Sequence, residues 1–298
     1  MMDSVFPRAS TPGRFAATRI SGWLCLIALS ACPPIAHAEA IALTHADAPV
    51  QLIRKTTVFN AAPGTVLLAG DVVTTTSDSA QLEFPGGTVI GLGPETCIMI
   101  ATGAPAPDLT LVRGWAKVQA PGRIKLATAT LALSATGSGI VHQDAASIDM
   151  MVESGSIVVS ALDNVRPPAA TLTQEQYLAV RGSAAFTPLA RSPRSFIAAV
   201  PRNFFDPLVP VAMRVKAVQP TPLRDVSAAD VVALNGAAPA LRKQLATRFA
   251  PRMTDPAFRT AAAKLLADIP EWRQIVRDGE RGITTSGKKR TAVLNNLF

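Results

Sequence analysis

Residues 64–75, Gly-Thr-Val-Leu-Leu-Ala-Gly-Asp-Val-Val-Thr-Thr, and residues 80–94, Ala-Gln-Leu-Glu-Phe-Pro-Gly-Gly-Thr-Val-Ile-Gly-Leu-Gly-Pro, decide the fold class of this chain. Both are short apolar-alternating runs punctuated by Gly70-Asp71 and Gly86-Gly87. Turn signals about eight to twelve positions apart between such runs describe antiparallel strands joined by tight turns. Nothing in the run is reactive. Working outward, further strands are predicted at Val50–Phe59, Leu109–Gln119, Ile124–Ser134, Gly139–Gln143, Ser147–Val152, Ser156–Leu162, Thr171–Leu172 and Tyr177–Val180. These segments are rich in Val, Ile, Leu and Thr, the residues that suit a pleated, half-buried surface.

The same run resembles the FecR-domain family: a glycine (Gly64), Gly-Asp (Gly70-Asp71), a threonine, an alternating strand, Gly-Thr (Gly87-Thr88), another alternating strand and a proline (Pro94). The resemblance extends over residues 49 to about 182, with Gly155-Ser156-Ile157-Val158-Val159 keeping the family's later glycine before a strand. The chain departs from the pattern at Gly137-Ser138, at Glu175-Gln176 where Gly-Gln is usual, and at Pro85-Gly86-Gly87, which lacks the common aspartate. The implied fold is all-β, a FecR-like sandwich or short β-solenoid, with Gly64, Gly70, Asp71, Gly87 and Gly155 as its fold-defining turns. The implied role is signalling or scaffolding in a bacterial envelope. Classical members use a cytoplasmic segment and one spanning helix, and this chain is expected to lack both.

Arg8, Arg14 and Arg19 precede an apolar run from Ile20 to Ala31 and small residues ending in Ala36-His37-Ala38. That is the layout of a secretory signal peptide, and the run is shorter than the roughly 20 residues a spanning helix needs. Residues 1–38 are expected to be removed, leaving a periplasmic or secreted protein. Leu29-Ser30-Ala31-Cys32 also resembles a lipoprotein cleavage box, so the alternative is a chain anchored by lipid on Cys32, with peripheral membrane contact only in that case. Of Cys25, Cys32 and Cys97, only Cys97 survives cleavage after Ala38, which excludes an internal disulfide.

The net charge of +8 is unevenly placed. Residues 39–188 carry 8 Lys/Arg against 12 Asp/Glu, whereas residues 189–298 carry 18 against 8. Prolines 193, 201, 207, 210 and 220 mark the border and forbid a continuous helix, so 189–222 reads as an extended connector anchored by Phe196, Phe204, Phe205 and Leu208. Residues 223–280 read as a small C-terminal helical module. Ser227-Ala228-Ala229-Asp230 is a capping box, Leu241, Leu245 and Phe249 recur every four residues, and Thr254-Asp255-Pro256 opens a third helix. In that helix Phe258, Ala261, Ala262, Leu265 and Leu266 form the expected buried stripe; Pro270-Glu271-Trp272 opens a fourth, ending at Gly279. Residues 281–298 read as a disordered basic tail.

A Cys97–His142 dyad would make a cysteine hydrolase, but Cys97 alternates with Ile98 and Ile100 as a packed strand residue does, and His142 shares the register of Ile140. Two mature histidines without cysteine clusters do not assemble a metal site, and no cofactor motif is present, so neither metal nor cofactor is expected. Asp71, Asp78, Glu83, Glu95, Asp144, Asp149 and Glu153 fall in turns or outward positions, which predicts solvated charge. Asp71 is expected to fix its turn by accepting from an N–H two residues on, a structural contribution of about 1–2 kcal/mol. Export excludes nucleic acid as partner of the basic third. The remaining partners are an envelope protein or, as the alternative, peptidoglycan or lipopolysaccharide, met by a surface of Trp115, Lys117, Trp272, Arg273 and Arg277. The overall expectation is a non-enzymatic envelope protein.

Overall fold

The computed structural model describes residues 40–102, 108–162, 170–182 and 186–281. The signal-peptide segment, Cys32 and the basic tail after Arg281 lie outside them. The described residues form fourteen strands: Ile41–Ala46 (β1), Val50–Arg54 (β2), Thr57–Ala61 (β3), Val66–Leu67 (β4), Val72–Thr74 (β5), Ala80–Glu83 (β6) and Val89–Leu92 (β7), then Cys97–Thr102 (β8), Asp108–Ala127 (β9), Leu131–Gln143 (β10), Ser147–Ala161 (β11), Ala170–Thr173 (β12), Tyr177–Arg181 (β13) and Thr221–Asp225 (β14).

β9 is the spine. Along one edge it pairs with β8 (Ile98↔Leu111) and, further on, with β7 (Ile90↔Val118); along the other it pairs with β10 (Val141↔Ala116). One wing continues β8–β5–β2–β3–β14, the other β7–β6–β1–β4, while β10–β11 carries β12 and β13. The whole is one antiparallel sheet curled into a half-barrel, with a few helices at the C-terminal end, in agreement with the β-rich class and the helical module expected.

Strand alternation sorts side chains between a single interior and two outer clusters. Leu52, Val73, Ile98, Ile100, Leu111, Val141 and Leu178 point into the interior, whose cluster draws on strands of both wings and of the β9–β11 meander. Their neighbours Ile53, Val72, Cys97, Met99 and Val112 point outward and are covered by the helices, together with Leu245, Phe249, Phe258 and Trp272. Ile140 and Tyr177 point outward elsewhere and are covered by Phe196, Val200 and Phe204 of the connector. The sheet is therefore buried on both faces over much of its area, which explains runs such as Val89–Leu92 in which every residue is buried.

Several expected strands are drawn differently. Val50–Phe59 is a hairpin, β2 and β3, turned at Lys55 with φ 54° and Thr56, neither of which is a usual turn residue. Ile124–Ser134 likewise spans the end of β9, a turn at 128–130 and the start of β10. Ser147–Val152 and Ser156–Leu162 merge into β11 through an irregular register at Ser154, where Gly155 faces Gly137 of β10. Both glycines have positive φ, and a Cβ on Gly155 would lie 2.1 Å from the Thr136 carbonyl oxygen, so the crossing admits only glycine there. Gly64, Gly70 and Gly87 also have positive φ, whereas Gly155, expected as a turn, lies inside β11.

The helices are Arg194–Ala199 (α1), Ala228–Ala233 (α2), Pro239–Phe249 (α3), Pro256–Leu265 (α4) and residues 273–281 (α5). The capping box at the start of α2 is formed in full, with Ser227 and Asp230 each bonding the other's N–H. α4 is capped by Asp255, whose carboxylate accepts from Ala257 N–H at 2.9 Å. Phe258, Ala262 and Leu266 are buried as expected, but Leu265 is 50% exposed, because it points away from the sheet that α4 covers. α5 continues past Gly279 to the last described residue.

Candidate functional site

Three polar assemblies on the outer face of the sheet contain most of the residues singled out in the sequence. The first holds the connector. Lys117, 2% exposed, donates from Nζ to the carbonyls of Phe204 (2.6 Å) and Asp206 (3.1 Å) and to Glu153 Oε1 (3.0 Å). Gln119 exchanges two hydrogen bonds with the main chain of Leu208, and Glu83 accepts from the N–H groups of Val211 and Ala212 at 2.6 and 2.9 Å. Gln81 donates to the Val209 carbonyl. Beneath the segment lies Gly91, where a Cβ would come within 3.0–3.2 Å of Leu208 and Phe204; its missing side chain is the room those two anchors use. Phe205, expected as an anchor, is 55% exposed instead, because the residue alternates away from the sheet. Lys117 is thus a buried fastener and not part of an open binding surface.

Trp115 and His142 form the second assembly. They oppose each other across β9 and β10 and stack with centroids 4.1 Å apart; Phe196 of α1 packs on the tryptophan at 5.5 Å. Desolvation pulls His142 below the ordinary histidine value, against the opposing pull of Asp144 and Asp149. Cys97 lies on the other side of β9, opposite Arg113, and in the separate cluster under the helices. Burial pushes its thiol up, with Thr74 and Arg113 acting in the opposite sense, so it is a packed, protonated thiol. Asp149 is 6% exposed rather than solvated; it accepts from Ser147 (2.6 Å) and Tyr177, and burial together with this carboxylate drives the tyrosine hydroxyl upward.

The third assembly joins the sheet to the helices. Asp71, 2% exposed, takes a bidentate contact from Arg54 (3.0 and 2.6 Å) and one from Leu68 N–H at 2.8 Å. The donor expected two residues on is not the one used: Leu68 lies three residues before the aspartate, and the carboxylate is half of an ion pair as well as a turn brace. Arg248 of α3 reaches back to the carbonyls of Gly70 (2.5 Å), Lys55 (2.8 Å) and Ile53 (3.4 Å). Burial lowers this guanidinium below the ordinary arginine value, and Asp71 opposes the shift. Gln143 donates to the carbonyls of Val112 and Gly236, and Arg113 to that of Ala233. Between the 68–71 turn and α3 opens a cleft of about 390 Å³ lined by Arg54, Lys55, Leu68, Met99, Leu245 and Arg248 among others.

The surface imagined from Trp115, Lys117, Trp272, Arg273 and Arg277 does not assemble. Trp272 is 2% exposed beside Phe258 in the cluster under the helices, and only Arg273 and Arg277 face solvent. Among the described residues no group of three or more His, Cys, Asp or Glu side chains is placed to hold a metal ion, and no helix is long and apolar enough to cross a membrane. The sequence signal that pointed to the fastening side chains was weak: long polar residues in the strands Ala80–Glu83 and Asp108–Ala127, where alternation alone reads them as solvent-facing.

No family model and no curated protein matches the sequence. Two crystal structures of "a putative anti-sigma factor from Parabacteroides distasonis ATCC 8503", at 2.50 and 1.65 Å resolution, are similar at 16% identity and a TM-score of 0.36. The alignments cover 43% of this chain and 62% or 63% of the neighbour's.

Proposed function

We propose that this chain is a non-enzymatic scaffold of the bacterial cell envelope, FecR-like in its β domain, which binds a partner protein in signalling or assembly. One observation carries the reading: the buried or half-buried charged and amide side chains of Glu83, Lys117, Gln119, Gln143 and Arg248 each bond the main chain of a segment distant in sequence. Groups engaged in this way fasten the chain to itself and are not free to transfer protons to a substrate. The FecR-like spacing over residues 49–182 and the export layout of residues 1–38 support the same reading. Trp272 is buried, and half-buried Trp115 is stacked on His142 and packed by Phe196, so the two do not form a shared polymer-binding platform.

The test is fractionation of a Gram-negative host expressing the full chain, with the mass of the mature product. A periplasmic product starting near Glu39, or one lipidated on Cys32, is expected. Full-length protein in the cytosol would contradict the proposal.

A further inference from the structure

Among the described residues, the cleft between the 68–71 turn and α3 carries more positive than negative charge. Three cations line it, Arg54, Lys55 and Arg248, against one carboxylate, Asp71. That carboxylate is already engaged by Arg54 on both oxygens. Arg248 is half-buried, and its guanidinium donates to the neutral carbonyls of Lys55, Gly70 and Ile53 while feeling the Asp71 charge only through space. Lys55, at the mouth, is exposed and its ammonium has no hydrogen bond or ion pair among the described residues. A half-buried cation whose nearest carboxylate is already held by another arginine is left partly uncompensated, and an anion drawn from solvent offsets the deficit.

Besides Thr56 and Gln244, the rest of the lining is apolar or glycine. Met99 and Leu245 are buried at its base, and Leu68 stands at its rim, 50% exposed. A volume of about 390 Å³ is that of a small-molecule site. We propose that this cleft binds a small amphiphilic oxyanion, a carboxylate or phosphate ester on a short apolar body, with the oxyanion between Lys55 and Arg248 and the apolar body on Leu68, Met99 and Leu245. The proposal goes beyond the scaffold reading and does not depend on which envelope partner the protein has.

Calorimetric titration of the purified protein with octanoate and octyl phosphate tests it, with octanol and inorganic phosphate as the two halves of the ligand. Both amphiphiles are expected to bind, more weakly at high salt, and each half alone at least about tenfold more weakly. Lys55→Asn removes the charge while keeping a residue that tolerates φ 54°, and is expected to weaken binding about tenfold. Arg123→Gln, on an exposed stretch of β9, is the control expected to leave binding unchanged. In protein labelled at methionine methyl groups, the Met99 resonance is expected to move on octanoate addition and that of Met150, in the barrel interior, to stay. No binding of either amphiphile would overturn the proposal. So would equal affinity for inorganic phosphate or octanol, an indifferent Lys55→Asn, an unmoved Met99, or binding only of a peptide C-terminus while octanoate fails.

Discussion

At position 71 a carboxylate that the sequence presents as a turn brace is buried against Arg54, and this changes the expected magnitude of its removal. Breaking one half of a buried pair costs about 3–5 kcal/mol, more than a lost turn bond. Asp71→Ala is therefore expected to lower the unfolding free energy by about 3 kcal/mol in urea, and Arg54→Met combined with it to cost less than the sum of the two single changes. A loss under about 1 kcal/mol would return Asp71 to the role of a simple turn residue. His142 makes a prediction about pH. Its folded value lies below the ordinary one near 6.5, so the unfolded chain binds the proton more readily, and stability is complete above about 6.5 and declines as pH falls toward the folded value. Thermal melts should show a decline as pH falls below about 6.5 that His142→Phe reduces. What could be read at this scale was residue type and facing: Cys97 opposite Ile98 and Ile100 is as the alternation implied. What could not be read was partnership, because Arg54 is 17 positions from Asp71 and Lys117 is 87 from Phe204.

Among the elements, the glycine turn between β6 and β7 was legible, the turn expected at Gly155 is an irregularity within β11, and the turns without glycine were missed. Gly86-Gly87 separates β6 from β7 where expected, while Lys55-Thr56 and 128–130 turn the chain without a usual turn residue and so hid two hairpins inside single apolar runs. The prolines of the connector were legible as a bar to a continuous helix, whereas the short helix α1 within it, the strand β14 at its end and the side of the sheet it follows were not. That path is set by Lys117, Gln119 and Glu83, residues whose strand positions look solvent-facing until another segment covers them. Lys117→Met with Glu83→Gln is expected to loosen 202–216 without unfolding the barrel. Tryptic cleavage at Arg202, Arg214 or Lys216 should accelerate by about tenfold or more, with little change in the melting of the interior. Unchanged cleavage would mean that Phe204 and Leu208 alone hold the segment.

For the molecule as a whole, the basic C-terminal third is not a separate charged face resting beside a β domain. Arg113, Gln143, Arg248 and the cluster around Phe249 and Trp272 join it to the sheet, so helices and strands should unfold together. A single coincident transition by far-ultraviolet and tryptophan signals is expected; an early helical transition would show that the module is independent. Composition disclosed the class and the charge division, yet not this shared packing, since the sheet residues under the helices carry the same apolar signature as those of the interior. The most direct measurement of the central claim is photo-crosslinking in living cells from exposed positions of the full chain, such as Arg273 and Leu223. The expected outcome is a discrete adduct with one envelope protein, abolished by competition with the untagged chain. Finding the chain uncrosslinked while the purified protein turns over a substrate at a rate abolished by a side-chain change in the sheet would contradict it.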